Sequence, residues 1–295
     1  MIIRRTAVLF SLFVPLAACV HGNNTSTPGV FQAKFQPLVD IGPFPNDLYF
    51  NHSDGSANTT GTLSILPIGS SPTGANAAFA SLDHLDGFGT QSDIDIYFNE
   101  SVDASTLAAN VVVFKVASNP LNKAVVPAGG ATLLKVGSDY SIGLSPASDD
   151  GGQTVVIKPL KPLAPSTVNP STHVPTPSTY LVIVTSGVKD TNGNALTASS
   201  DYAAILNVDL PVLHGGKMGT TGNPTLDKVA LFTLPQLAVA GTKIDPTTIA
   251  LTFSFSTQYL GLSLGELAAT ATATVQPTGV GTVNTGETLC AILVA

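Results

Sequence analysis

Ser92-Asp-Ile-Asp-Ile-Tyr-Phe98 (SDIDIYF) decides the fold class of this chain. Ile94, Ile96 and Phe98 alternate with Asp93, Asp95 and Tyr97, a period of two that collects the aliphatic and phenyl groups on one face. A helix would need its apolar groups three and four residues apart, so the stretch specifies a half-buried strand. Val111–Val116 (VVVFKV) reads as another strand, and further strands are readable at Ala131–Val136, Tyr140–Leu144, Thr154–Ile157 and Tyr180–Thr185. Asp103-Ala-Ser-Thr-Leu107 between two of these strands predicts a single capped helical turn. Gly-, Pro- and Asn-Gly-rich turns separate the strands. Short strands punctuated in this way predict a mainly β chain, an immunoglobulin-like β-sandwich with short helices and an extended N-terminal segment.

The flanking sequence has a different texture. Pro159, Pro162, Pro165, Pro170, Pro175 and Pro177 exclude their segment from the centre of a sheet and predict an extended loop. Upstream, Phe35–Phe50 is proline-rich, a Gly/Ser/Asn/Thr loop runs to about Thr62, and Asn76–Asp86 has the spacing of a short helix. Downstream, His214–Asn223 reads as a flexible linker, Thr225–Ala240 as a helix broken at Pro235, and Ile249–Phe255 as a strand. The expected organisation is a signal peptide (1–18), a tether (19–35), an N-terminal segment (36–90) and the sandwich (91–208). A linker, short helix and strand (209–265) and a tail (266–295) complete it, the tail ending in an apolar run that suggests a chain cut short.

Charge excludes one function class. Only 11% of the 295 residues are charged, and the net charge is −7. Both arginines, Arg4 and Arg5, lie at the N-terminus, so no basic stripe is available to neutralise phosphates and a nucleic-acid partner is rejected. Those arginines open a positive segment, followed by the apolar run Ala7–Ala18. That is the layout of a secretory signal, too short to span a bilayer as a mature helix. It ends in Leu16-Ala17-Ala18-Cys19, which resembles the lipobox of bacterial lipoproteins and implies that Cys19 carries the acyl chains. Val20 follows where an aspartate would favour inner-membrane retention, so the expected location is the outer membrane, with the membrane itself as partner through the lipid. With Cys19 acylated, Cys290 has no intramolecular partner and the fold must rest on its core.

Several stretches imitate chemistry. Gly261-Leu-Ser263-Leu-Gly265 spells the G-x-S-x-G of a nucleophile elbow, but that fold requires an acid and then a histidine after the serine. Glu266 and Glu287 follow, and no histidine does, so Ser263 has no base to take its proton and is read as a decoy. His214-Gly-Gly imitates an oxyanion-hole turn without a partner motif. Asp190-Thr-Asn192-Gly-Asn194 with Asp201 imitates a calcium loop, but its glycine is misplaced, and a hairpin turn at Asn192-Gly193 accounts for it better. Asp83-His84 and Asp86 read as a solvated helix end, and His21, His52 and His173 stand singly in loops. No metal-ligand spacing and no cofactor motif is present, and no catalytic residue is assigned.

Five stretches carry a resemblance. Phe44-Pro-Asn-Asp-Leu-Tyr-Phe50 and Leu85-Asp-Gly-Phe88 resemble the N-terminal region of bacterial virulence-factor lipases, the surface-anchored lipases and lysophospholipases. Val156–Leu163 and Tyr180–Asp190 are similar to the Ig-like segment of those proteins, and Ile249–Gln258 to the strand ahead of their hydrolase domain. The resemblance covers about residues 1–265 and implies a catalytic triad in a domain downstream of this region. The function it implies is a non-catalytic module that tethers and positions a lipase domain, with that domain or a lipid substrate as partner. The alternative is a standalone Ig-like surface lipoprotein for adhesion or ligand binding.

Overall fold

A computed structural model describes residues 29–39, 41–50, 60–64, 82–83, 85–148, 151–168 and 175–260. The alternating stretch forms β1 (Ile94–Phe98), and Ile94, Ile96 and Phe98 are buried as the period requires. Asp103 caps the predicted turn, its carboxylate accepting from Ser105 N at 3.0 Å, and a 3-10 turn at Ala104–Thr106 runs into α1 (Leu107–Asn110). The following strands are β2 (Val111–Val116), β3 (Ala131–Leu133), β4 (Tyr140–Leu144), β5 (Gln153–Pro159) and β8 (Ser178–Thr185). The proline-rich stretch stays out of both main sheets and makes only a two-stranded ribbon, β6 (Thr167–Val168) with β7 (Pro175–Thr176).

Two antiparallel sheets result, ordered β1-β5-β4 and β3-β2-β8-β9, where β9 is Ile249–Thr257. They share one core: Ile94, Ile96, Val155 and Ile157 from the first, and Val113, Val182, Val184, Phe253 and Phe255 from the second. Tyr140 reaches across it, donating its hydroxyl proton to Val111 O at 3.2 Å. The larger sheet is also covered on its other face, where Phe114, Leu181, Ile183 and Ile249 pack on Leu237, Val239 and Ala240 of a helix. Every residue of β8 and β9 is consequently buried. This explains why Tyr180–Thr185 reads as a continuous apolar run instead of alternating.

The covering layer is a helical hairpin, α2 (Ser200–Leu213) and α3 (Pro224–Ala240). α2 begins inside the span expected as sandwich (91–208), where no helix was expected. α3 continues through Pro235, where the sequence predicted a break. A proline inside a helix frees the carbonyl four residues earlier. Here those carbonyls belong to Leu231 for Pro235 and Asn207 for Pro211, both on the exposed side, where water can take the freed group. The segment read as a flexible linker is a built connection. Gly216 N donates to Pro211 O at 2.8 Å and Gly215 N to Val212 O at 3.0 Å, with Gly215 at φ +79°. That is the paired bonding of a Schellman stop, which closes α2. Asn223 then opens α3 by accepting from Thr225 N and Leu226 N, with Pro224 at the first helical position.

The end of the stretch read as a tether joins the core. Phe31, Ala33 and Phe35 are buried, Phe31 stacks on Phe98 at 5.5 Å, and Lys34 N donates to Tyr97 O at 2.7 Å along the edge of β1. The predicted helix at Asn76–Asp86 lies largely outside the described residues.

Candidate functional site

Three of the stretches that carried the resemblance, Phe44–Phe50, Leu85–Phe88 and Ile249–Gln258, meet at the C-terminal end of β9. Residues 86–88 lie along its free edge: Phe88 N donates to Ser256 O and Gln258 N to Phe88 O, each at 2.8 Å. Gly87 makes this approach possible, because a Cβ there would sit 2.5 Å from Thr257 O and overlap Thr257 C and Gln258 N. Asp86, expected at a solvated helix end, instead accepts from Tyr259 N at 3.0 Å. Residues 164–166 close the other side. Thr257 Oγ1 donates to Ala164 O at 2.7 Å, Ser166 Oγ to Thr257 O at 2.5 Å, and Ser166 N to Gln258 O at 3.2 Å. Residues 256–259 are thus held from both flanks. The direction in which the chain leaves β9 is fixed.

The Phe44-Pro-Asn-Asp stretch packs beneath this clamp. Phe44 and Phe50 meet Phe88 edge-on at 5.5 and 6.1 Å, and Asp47 opens a 3-10 turn (Asp47–Phe50) that points its carboxylate at β9. Asp47 is fully buried, with Oδ2 accepting from Ser256 Oγ at 3.1 Å and Oδ1 accepting from no group. Burial lifts its pKa to about 7, against the opposing pull of the Ser254 hydroxyl, the Lys123 charge and Ser256. Lys123 arrives from the turn after β2 at φ +58°, itself buried, donating Nζ to Pro120 O at 3.0 Å and lying 4.9 Å from the Phe50 ring centroid. Desolvation pushes its pKa down, while Asp47 and Asp86 pull it up.

A polar seam continues from this joint along the helix-facing side of β9. Ser256 Oγ pairs with Thr179 Oγ1 at 2.7 Å and Thr179 with Ser118 Oγ at 2.5 Å. Towards the helices, Gln236 Nε2 donates to Ser254 Oγ at 3.4 Å, and Gln236 Oε1 accepts from Thr252 Oγ1 at 2.9 Å. Tyr202 Oη lies 2.7 Å from Thr252 Oγ1 and accepts from Thr252 N at 2.8 Å, satisfying an edge amide of β9. Asp209, one helical face along from Tyr202, is fully buried with neither carboxylate oxygen hydrogen-bonded, and burial alone raises its pKa to about 7.

This arrangement holds structure together and offers no evident chemistry. The Ser256–Asp47 pair is sealed from solvent, so no substrate can approach its hydroxyl. Among the described residues no group of three or more His, Cys, Asp or Glu could hold a metal. Asp190 of the calcium-like stretch spends its oxygens internally, accepting from Asn192 N, Asn194 N and Asn194 Nδ2 at 2.7–2.9 Å around Gly193 at φ +87°. His214 sits as the C-cap of α2, its backbone N–H donating to Pro211 O. Cys19 and Ser263 lie outside the described residues. Lys123 and Asp209 escaped sequence reasoning, since a lysine in a turn and an aspartate in a helix give no local sign of burial. Asp47 was visible only as one letter of a resembling stretch.

The family described as bacterial virulence factor lipase N-terminal matches residues 42–290. The chain belongs to that family. The match spans the Asp47 turn, the Gly87 approach and β9, so the clamp is built from residues of the family region. No curated protein matches the chain significantly. Among solved structures it is similar to the S-layer protein rSbsC, at 18% identity and a TM-score of 0.22, over 42% of this chain and 14% of that one. Surface layer protein SbsC, domains 1-6, gives 17% identity and a TM-score of 0.20 over 37% and 11% of the two chains. The chain therefore spans a small fraction of the length of these proteins. Membership in the virulence factor lipase N-terminal family indicates an exported protein. Among the described residues no helix is long and apolar enough to cross a membrane.

Proposed function

We propose that this chain is the non-catalytic N-terminal module of a surface-anchored bacterial lipase or phospholipase, tethered through acylated Cys19 and positioning a catalytic hydrolase domain. The observation that carries the reading is the clamp on residues 256–259, made by Asp86, Gly87, Phe88, Ala164 and Ser166. A module that orients a downstream domain needs a rigid exit, and a strand end bonded on both flanks supplies one. Facing β1-β5-β4 and β3-β2-β8-β9 sheets are compatible with an Ig-like sandwich elaborated by a helical layer. On this reading the sandwich is the stalk. Acyl chains on Cys19 would contribute ~0.8 kcal/mol per buried CH₂, and two or three chains hold a protein stably at a membrane. The outer membrane is the proposed location.

Labelled palmitate fed to cells expressing the protein tests the tether. Incorporation is expected in the wild type and lost in Cys19→Ala; label persisting in that variant rules out the lipoprotein assignment. Purified chain offered a short-chain ester tests the non-catalytic role. No hydrolysis is expected, and turnover that disappears in Ser263→Ala would overturn it.

A further inference from the structure

Asp47 is a buried acid with one hydrogen bond where an ionised carboxylate needs several. Three elements face it. The helix-facing side of β9 brings the hydroxyls of Ser254 and Ser256, the turn after β2 brings the Lys123 ammonium, and the 86–88 segment acts through Phe88 on Phe50 and through the charge of Asp86 on Lys123. Its own 3-10 turn (Asp47–Phe50, DLYF) adds no second charge. Phe50, on the same turn, packs edge-on against Phe88, and Phe88 is bonded to both Ser256 and Gln258. Movement of the Asp47 turn therefore transmits directly to the clamp on the end of β9.

We propose that the Asp47 turn is a pH-responsive latch on that clamp, closed while the carboxyl holds a proton and opened by its ionisation. The closed joint raises the Asp47 pKa to about 7, whereas a carboxyl released to water has its ordinary value of 3.8. Closure is therefore most favoured below pH 3.8, weakens about tenfold per pH unit above it, and levels off above about pH 7. The closed-to-open ratio falls about a thousandfold across that window. Lys123 opposes the opening by stabilising the ionised carboxylate in place. Removing its charge moves the upper limit of the window to higher pH.

Amide hydrogen exchange on the full chain from pH 4.5 to 8.5, corrected for the intrinsic pH dependence of exchange, reads the latch at Phe88, Gln258 and Tyr259. The wild type should lose protection at these amides by two to three orders of magnitude as pH rises, while Val182 and Ile157 in the core stay protected. Asp47→Asn, which keeps the shape without the charge, should make the protection independent of pH. Asp209→Asn, which removes the other buried carboxyl, should leave the pH dependence at Phe88 and Gln258 in place. If Asp47→Asn does not fold, Lys123→Met should extend the loss of protection to higher pH. The proposal is overturned by flat protection in the wild type, by an unchanged pH response in Asp47→Asn, by an unshifted window in Lys123→Met, or by core amides that exchange in parallel.

Discussion

Replacing Gly87 by alanine probes the clamp with one methyl group. The new Cβ would sit 2.5 Å from Thr257 O and overlap Thr257 C and Gln258 N, backbone atoms at the end of β9 that cannot rotate aside as a side chain would. The 86–88 segment must therefore lift from the edge of β9, breaking Phe88 N to Ser256 O and Gln258 N to Phe88 O. Two backbone bonds at about 1 kcal/mol each contribute about 2 kcal/mol. Displaced packing, Phe88 on Phe44 and Phe50 above all, adds about 1–2 kcal/mol by the usual magnitude of overpacking strain. The expected loss is about 3–4 kcal/mol, a large share of the ~5–15 kcal/mol that holds a domain folded. Urea unfolding followed by circular dichroism measures it. Gly143→Ala in β4 is the control, since a Cβ there meets nothing within 4 Å, and its stability should stay within about 0.5 kcal/mol of wild type. A Gly87→Ala protein within about 1 kcal/mol of wild type would refute the claim that this approach is sterically specified.

The seam and the helical hairpin give further expectations. Tyr202→Phe removes the hydroxyl that accepts from Thr252 N, leaving a buried edge amide unpaired, and should cost about 1–3 kcal/mol in the same urea assay. Asn223→Ala deprives α3 of the cap on Thr225 N and Leu226 N and should cost about 1 kcal/mol, read as a lowered urea midpoint. Asp209 is a raised-pKa acid, ordinary at 3.8 unfolded and about 7 folded, so its protonated form favours the fold below pH 3.8 and that contribution is lost progressively as pH rises towards 7. Asp209→Asn should accordingly raise the thermal midpoint at pH 8 and leave it nearly unchanged at pH 4. An equal shift at both pH values would show that the carboxyl is not protonated in the fold.

Local patterns were legible wherever one face of an element meets the core. Ile94–Phe98 and Tyr140–Leu144 form strands at the predicted positions, and the Asp103 cap sits where the sequence put it. Legibility failed in the helical layer, where no narrow apolar stripe marks the buried face. α2 was hidden because Ser200–Leu213 carries apolar residues around most of its circumference, and Pro211 and Pro235 looked like stops for want of any view of which carbonyl they free. Gly215 and Gly216 looked like slack and are a helix stop. At the candidate site, the sequence offered Ser263 as a decoy and Asp86 as a solvated acid, whereas the structure makes Asp86 an anchor for Tyr259.

The sequence by itself determined the β character of the chain and the resemblance that family membership confirms, because alternation and short motifs are local properties. Tertiary structure alone decided that Phe44-Pro-Asn-Asp, Leu85-Asp-Gly-Phe and the end of β9 form one clamp over a buried acid and a buried lysine. Burial and desolvation belong to the surroundings of a residue, and those surroundings come from segments more than a hundred positions away, as Asp47 and Ser256 show.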